Sequence, residues 1–266
     1  MPVKEAVTSM TRSDSKVALI TGASGGIGMA CARQLAHEGA SLVLVDVDRD
    51  RLAEAAADLG GNKLLLTADV SDAAQTAGYV HQALDRFGRI DTALLNAGIE
   101  GGIASIENTE LTTYEKVMAV NVRGVWLALA QLLPIMRDQR SGSIVVTSSI
   151  TGLRGTAGQG AYVASKHAVL GLMKVAALEG APHGIRVNAV CPGPTETRMM
   201  TSIESGFDAE HPDQVKARIV AGVAQKRYGQ ASEIASVICF LASEAASYCT
   251  GSTFSVDGGS LAGPVR

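Results

Sequence analysis

The sequence predicts an α/β protein, a doubly wound parallel sheet of about seven strands with helices on both faces. Three observations carry that expectation. Short apolar runs alternate with helical patterns along almost the whole chain of 266 residues. The runs are continuous rather than alternating, as parallel strands covered on both faces require. A glycine-rich turn joins the first run directly to an Ala-rich helical stretch, the strand–turn–helix opening of an open α/β sheet.

Strands are expected near residues 16–21, 41–46, 63–67, 90–95, 142–147, 185–190 and 253–256. Helices are expected near 26–38, 49–58, 72–87, 112–137, 159–180, 213–225 and 231–243. Asn121, a poor helix former, falls inside the long helix 112–137 and implies a kink or a side chain bonded to local backbone. The stretch from Thr195 to Pro212, with its Met pair, Ser, Gly and acids, looks least like core and reads as a mobile insertion. No internal linker or tandem repeat divides the chain. One domain over 15–266 is therefore expected, behind a flexible tail over 1–14.

The first turn carries the first functional signal. Lys16 to Thr21 is an apolar strand, Gly22-Ala-Ser-Gly-Gly-Ile-Gly28 follows, and a helical stretch runs from Met29 to Glu38. Glycines at such a turn let backbone N–H groups approach a pyrophosphate, and the helix N-terminus adds a favourable dipole. Gly22 permits the tight turn, Gly26 the close approach, and Gly28 the packing of helix on strand; Ser24 and Ile27 complete the cofactor loop. The second strand, Ser41 to Val45, ends at Asp46, where an acid bonds both ribose hydroxyls and repels a 2′-phosphate. The loop has no Arg or Lys, so NAD is expected over NADP, with Arg49 and Arg51 near enough to matter. The competing role for Asp46, capping the next helix, suits Asp48 better.

The second signal is Tyr162 and Lys166, one helical turn apart on one face. A free phenol ionises near pH ~10, and a neighbouring ammonium lowers that value. A tyrosine tuned this way takes a proton from an alcohol or gives one to a carbonyl.

Thr21-Gly-x-x-x-Gly-x-Gly28, Asn96-Ala-Gly98, Asn121, Ser149, Tyr162-x-x-x-Lys166 and Pro192-Gly193 occur in one order. This set closely resembles the short-chain dehydrogenase/reductase family, over about Lys16 to Gly259; the departure is Leu95, where many relatives carry a second asparagine. The resemblance implies a Rossmann-like sheet and the catalytic set Asn121, Ser149, Tyr162 and Lys166. It implies that Asp69 bonds the adenine amino group and that Val70 contacts the ring, although Asp69 as a turn residue with Ser71 as helix cap is the competing reading. It puts Asn96, Ala97 and Gly98 beside the adenosine half, and Pro192, Gly193, Thr195 and Thr197 at the nicotinamide carboxamide. Of the adjacent Ser148 and Ser149, it selects Ser149, thirteen positions before Tyr162, to hold the substrate oxygen; Ser148 is then structural. Lys166 is implied to lower the phenol pKa and bond the nicotinamide ribose, and Asn121 to bind a water that carries the proton onward.

These implications give an oxidoreductase that exchanges hydride between NAD(H) and a secondary alcohol or ketone, with Tyr162 as general acid/base. The substrate is expected to meet Ser149, Ile150, Gln159 and Met199, with Glu100, Arg154 and Met200 as further pocket candidates. That mixture suits a medium-sized cyclic, aromatic or steroid-like compound, covered by a segment near 195–225. Arg154 either reads a carboxylate or makes a surface ion pair, the latter being favoured. The alternatives are an NADP-dependent 3-oxoacyl thioester reductase and a dinucleotide sensor without turnover.

Composition narrows the rest. A net charge of −3 with mixed signs gives no reason to expect nucleic acid or an anionic membrane as partner. Cys31, Cys191, Cys239 and Cys249 lack metal or redox spacing and read as reduced packing residues, so no metal is expected. Residues 1–14 lack the apolar centre of a secretory signal, and the apolar stretch from Gly124 to Met136 is too short to span a bilayer. A cytoplasmic location is expected by default, and a homotetramer is implied by resemblance.

Overall fold

The computed structural model describes residues 16–264, so the expected tail over 1–14 lies outside the described residues. Seven strands form one parallel sheet: β1 (Val17–Thr21), β2 (Ser41–Asp46), β3 (Lys63–Thr67), β4 (Thr92–Leu95), β5 (Gly142–Thr147), β6 (Ile185–Pro192) and β7 (Thr253–Val256). Their spatial order is β3-β2-β1-β4-β5-β6-β7. The strands β1, β2, β4, β5 and β6 are almost wholly buried, as covered parallel strands require, whereas the edge strands β3 and β7 are largely half-buried.

Nine α-helices accompany the sheet: α1 (Gly26–His37), α2 (Arg49–Ala55), α3 (Ala73–Phe87), α4 (Leu111–Met118), α5 (Gly124–Gln139), α6 (Gly160–Gly180), α7 (Arg198–Phe207), α8 (Pro212–Ala221) and α9 (Ala231–Ala242), counted among the described residues. Alternate residues of each strand serve opposite layers. Leu19, Val43, Val45, Leu95, Ile144 and Val146 pack under α3, α5 and α6. Ile20, Leu42, Leu44, Leu94 and Val145 pack under α1, α2 and α9. Strand order reverses between β1 and β4, which brings the loops after these two strands together, the place where open α/β sheets bind ligands.

Three expectations need correction. The stretch from Thr195 to Pro212 is not structureless: α7 forms within it, capped by Thr197, whose side chain accepts from the Met200 N–H, with Ile203 and Glu204 buried. Met199, Ile203 and Phe207 recur at helical spacing within it, a stripe that the reading of its Ser, Gly and acids as a loop passed over. The cap of α3 is Asp72, which accepts from the Gln75 N–H, and not Ser71. The apolar stretch around 124–136 belongs to a helical run over Leu111–Gln139, 29 residues with a mean hydropathy of 1.4, long and apolar enough on composition to cross a membrane. Here Val117, Asn121, Ala128, Leu132 and Met136 of that run are buried in the domain. Its centre, Ala119–Arg123, is a π-helical turn holding Asn121, so the irregularity expected at this residue is a widened turn.

Candidate active site

The glycine turn leaves β1 with Gly22 at φ +63°, a conformation that side chains disfavour, and a Cβ there would lie 2.8 Å from the Ala97 Cα. At Gly28 a Cβ would overlap the Gly22 carbonyl oxygen and lie 3.0 Å from the Ala23 Cα. These two glycines therefore do what their spacing implied. Gly26 is exposed, and a Cβ there would meet the Thr197 methyl at 3.1 Å. Gly25 is the N-cap of helix α1, which therefore has no side-chain cap, and no acid lies in its first turn. Its N-terminal N–H groups are thus left for an external anion, and this cradle fits a pyrophosphate.

Asp46 ends β2 beside that cradle. Its Oδ2 accepts from the Ser24 N–H at 2.9 Å and its Oδ1 from the Asp48 N–H at 3.3 Å. Asp48 caps α2 by accepting from the Arg51 N–H, leaving Asp46 to the loop. Arg51 Nη2 donates to the Ser24 carbonyl at 3.5 Å. A cavity of about 490 Å³ opens here, lined by Ser24, Arg33, Arg51, Glu54, Ala55, Ala57 and Asp58. Arg33 is tied to Asp58 at 2.6 Å.

Across the switch point, Thr21 Oγ1 accepts from the N–H groups of Asn96 and Ala97 at 3.1 and 3.2 Å. Asn96 Nδ2 donates to the Gly22 carbonyl at 3.2 Å, so its side chain ties the two loops together. Asp69 Oδ1 accepts from both the N–H and the hydroxyl of Ser71, the bonding of a turn residue. Val70 is buried, and a Cβ on Gly124 would lie 3.0 Å from its Cγ2.

The four residues expected to carry acid–base chemistry come from three elements. Tyr162 and Lys166 lie on α6, Ser149 follows β5, and Asn121 sits in the π turn. Tyr162, Lys166 and Asn121 are 7%, 4% and 1% exposed. Lys166 Nζ donates to the Thr147 carbonyl at 2.9 Å and lies 5.5 Å from the Tyr162 ring centroid. A Cβ on Gly98 would meet Asn121 Oδ1 at 3.3 Å and Lys166 Nζ at 3.4 Å, so this glycine makes room for the amine. Asn121 Oδ1 accepts from the Ile99 N–H, and its Nδ2 donates to the Ile99 carbonyl and to Ser165 Oγ. The side-chain amide thus pins the loop after β4. Ser148 donates to the Lys166 carbonyl at 2.9 Å, the structural role expected of it.

Electrostatics differ from the expectation that Lys166 pulls the phenol down. Burial pushes Tyr162 up to about 12, opposed by the Ser149 hydroxyl, while Glu100 and Cys191 push it further up. Burial also pushes Lys166 down to about 8. The physical reason is desolvation: both charged forms lose water, and the amine faces a carbonyl rather than the phenol oxygen.

The remaining candidates divide. The Tyr162 hydroxyl reaches Met199 Sδ at 4.0 Å, which puts α7 over the phenol. Ile150 and Gln159 are buried, and Gln159 precedes α6 in a short bridge to Ala104. Arg154 is exposed and makes no ion pair among the described residues. Thr195 is buried and donates to the Gly193 carbonyl, and Thr197 donates to the Thr195 carbonyl, which shapes the turn after Pro192. Sequence reasoning missed Thr21 as the tie between β1 and β4, Ser165 as the partner of Asn121, and the Thr147 carbonyl as the seat of Lys166. Thr21 was legible in its motif; the other two are partners that only folding supplies.

A parallel sheet opening on a glycine-rich turn, with a buried tyrosine and lysine on one helix face, also characterises a family of known proteins. A family model described as enoyl-(acyl carrier protein) reductase matches residues 22–260. The levodione reductase of Leifsonia aquatica is 43% identical over 257 residues, covering 95% of this chain and 96% of that protein. The 3-oxoacyl-(acyl-carrier-protein) reductase of Thermotoga maritima is 37% identical over 251 residues, covering 93% and 98%. The crystal structure of an NAD+-bound xylitol dehydrogenase superposes with a TM-score of 0.88 at 32% identity, over 94% of this chain and 100% of that one. The chain belongs to the short-chain dehydrogenase/reductase family and is an oxidoreductase of that family.

Proposed function

We propose that this protein interconverts a secondary alcohol and a ketone with NAD(H) as cofactor, and that Tyr162 is its general acid/base. The single observation behind the chemistry is a buried phenol on the same helix face as a buried amine, with a serine hydroxyl beside it. The cofactor, when bound, supplies or accepts a hydride at its nicotinamide ring. The α1 N-terminus and Gly22, Gly26 and Gly28 would hold its pyrophosphate, Asp46 its ribose, and the turn at Pro192, Gly193, Thr195 and Thr197 its carboxamide. Ser149 fixes the substrate oxygen. Tyr162, held near pH 12, is protonated at neutral pH, the state that donates to a ketone oxygen. Lys166 stands behind it as a neighbouring positive charge, and oxidation of the alcohol then gains as pH rises and the phenol ionises.

Ile150 and Met199 give the substrate region an apolar wall, and Gln159 offers one polar group, which supports a cyclic ketone or its alcohol. Relatives that are by name a levodione reductase and a xylitol dehydrogenase support carbonyl–carbinol chemistry. A second reading, NADP-dependent reduction of a 3-oxoacyl thioester, is favoured by the Thermotoga relative and by Arg51 beside the ribose site. Asp46 argues for NAD. Trp126, Val175 and Leu178, exposed apolar residues on α5 and α6, support self-association into the expected tetramer.

The test is Tyr162→Phe, assayed with NADH and a panel of cyclic ketones. NADH binding should stay within about twofold, and turnover should fall by at least ~10²-fold. Near-normal turnover sinks the assignment.

A further inference from the structure

Helix α7 lies over the phenol, yet only two of its ten residues are buried, Ile203 and Glu204. An acid is therefore half of its anchor. Glu204 is 7% exposed, and its Oε1 accepts from the Tyr228 hydroxyl at 2.8 Å. Tyr228 is 4% exposed and lies between α8 and α9. Its phenol is shifted upward by burial first and by the Glu204 carboxylate second.

The segment carrying Tyr228 is itself held firmly. Lys216 of α8 lies 4.9 Å from the Tyr228 ring centroid and pairs with Glu196 at 2.9 Å. Arg227 grips Glu233 in a two-pronged pair at 2.7 Å, and Glu233 closes the capping box of α9. Backbone bonds run from the Glu196 N–H to the Gly229 carbonyl and from the Gly229 N–H to the Pro194 carbonyl, both 2.9 Å. Tyr228 thus stands on a base fixed to α8, α9 and the turn after β6. At the other end of the same helix, Met199 touches the Tyr162 hydroxyl. Glu204 lies five residues beyond Met199, so a shift of α7 at Glu204 reaches the residue over the phenol.

We propose that the Glu204–Tyr228 hydrogen bond is a latch that holds α7 over Tyr162, making both residues positioning residues for the substrate rather than for the cofactor. The catalytic half of this statement rests on the oxidoreductase reading above; the structural half does not. The Tyr228 phenol gives the buried Glu204 carboxylate its hydrogen bond, with the Lys216 ammonium as a more distant favourable charge, so loss of that donor weakens its hold and favours its movement toward water. Loss of the donor alone releases α7, whereas loss of both partners leaves no charge to expel.

The experiment compares full-length wild type with Tyr228→Phe, Glu204→Leu, Glu204→Gln and the double variant Tyr228→Phe/Glu204→Leu. Three quantities are read: hydrogen exchange of amides 199–207 against those of α6, the NADH dissociation constant, and KM and kcat for cyclohexanone. In Tyr228→Phe, exchange in α7 and KM should both rise about tenfold, the factor that loss of one hydrogen bond commands. NADH affinity, kcat and exchange in α6 should change less than about twofold on the same scale. Glu204→Gln, which keeps an acceptor, should lie between this variant and wild type. The double variant should exchange more slowly in α7 than Tyr228→Phe. Unchanged exchange in α7 of Tyr228→Phe overturns the latch, as does an equal rise in α6 or a double variant additive in its singles. If wild type binds NADH but turns over no ketone, the alcohol–ketone reading fails while the exchange data still decide the latch.

Discussion

Replacing Lys166 by methionine should change how the stability of the ligand-free protein depends on pH. The amine is 4% exposed, donates to the Thr147 carbonyl, and is held by burial at about 8 instead of 10.5. Its folded value lies below its unfolded one, so between pH 8 and 10.5 the unfolded chain binds more protons. Stability therefore rises with pH across that window, and below pH 8 the penalty of burying the charge is felt in full. At about 1.4 kcal/mol per pH unit, the gain from pH 7 to pH 10 is roughly 2 to 3 kcal/mol. Methionine fills a similar volume without the charge, so the variant lacks this slope. Other groups titrate nearby: burial raises the Cys191 thiol and the Tyr162 phenol, and both lower stability at higher pH. The Lys166 ammonium itself holds the Cys191 thiol down, so the difference between wild type and Lys166→Met reads the amine together with its effect on that thiol. Urea unfolding at pH 7, 8, 9 and 10, without cofactor, measures it. A difference that stays flat within about 0.5 kcal/mol would refute the claim that Lys166 is desolvated in the folded state.

Two further outcomes follow from the cofactor end. Gly28→Ala places a methyl against the Gly22 carbonyl and the Ala23 Cα, so thermal unfolding should show a loss of about 1–3 kcal/mol, and NADH affinity should fall with it. Asp46→Ser should bring NADPH affinity up by about tenfold or more, since one like charge near the 2′-phosphate is removed. Adding Arg51→Ala should cancel most of that gain, because Arg51 reaches the Ser24 carbonyl at the rim of the same cavity. Fluorescence titration with NADPH reads both steps, and a gain independent of Arg51 would show that its guanidinium faces elsewhere.

Much of the fold was legible because parallel strands buried on both faces leave continuous apolar runs, as Ser41 to Val45 and Ser143 to Thr147 show. The glycine loop was legible for a different reason. Gly22 and Gly28 answer to local backbone sterics, which sequence records directly. Helix α7 was overlooked although Met199, Ile203 and Phe207 recur every four residues, because ten residues offer only one short apolar stripe among polar neighbours. The pairing of Glu204 with Tyr228, 24 positions away, exists only after α7, α8 and α9 are in place.

By itself, then, the order of residues determined the sheet, the dinucleotide cradle and which tyrosine and lysine share a helix face. These depend on short-range geometry, three to seven residues at a time. Tertiary structure alone decided how those groups ionise and what holds them. Lys166 sits against the Thr147 carbonyl, Asn121 against Ile99 and Ser165, and Tyr162 beneath Met199. Desolvation is a property of everything packed around a group, so the phenol moves up and the amine moves down, although adjacency in sequence pointed the phenol the other way.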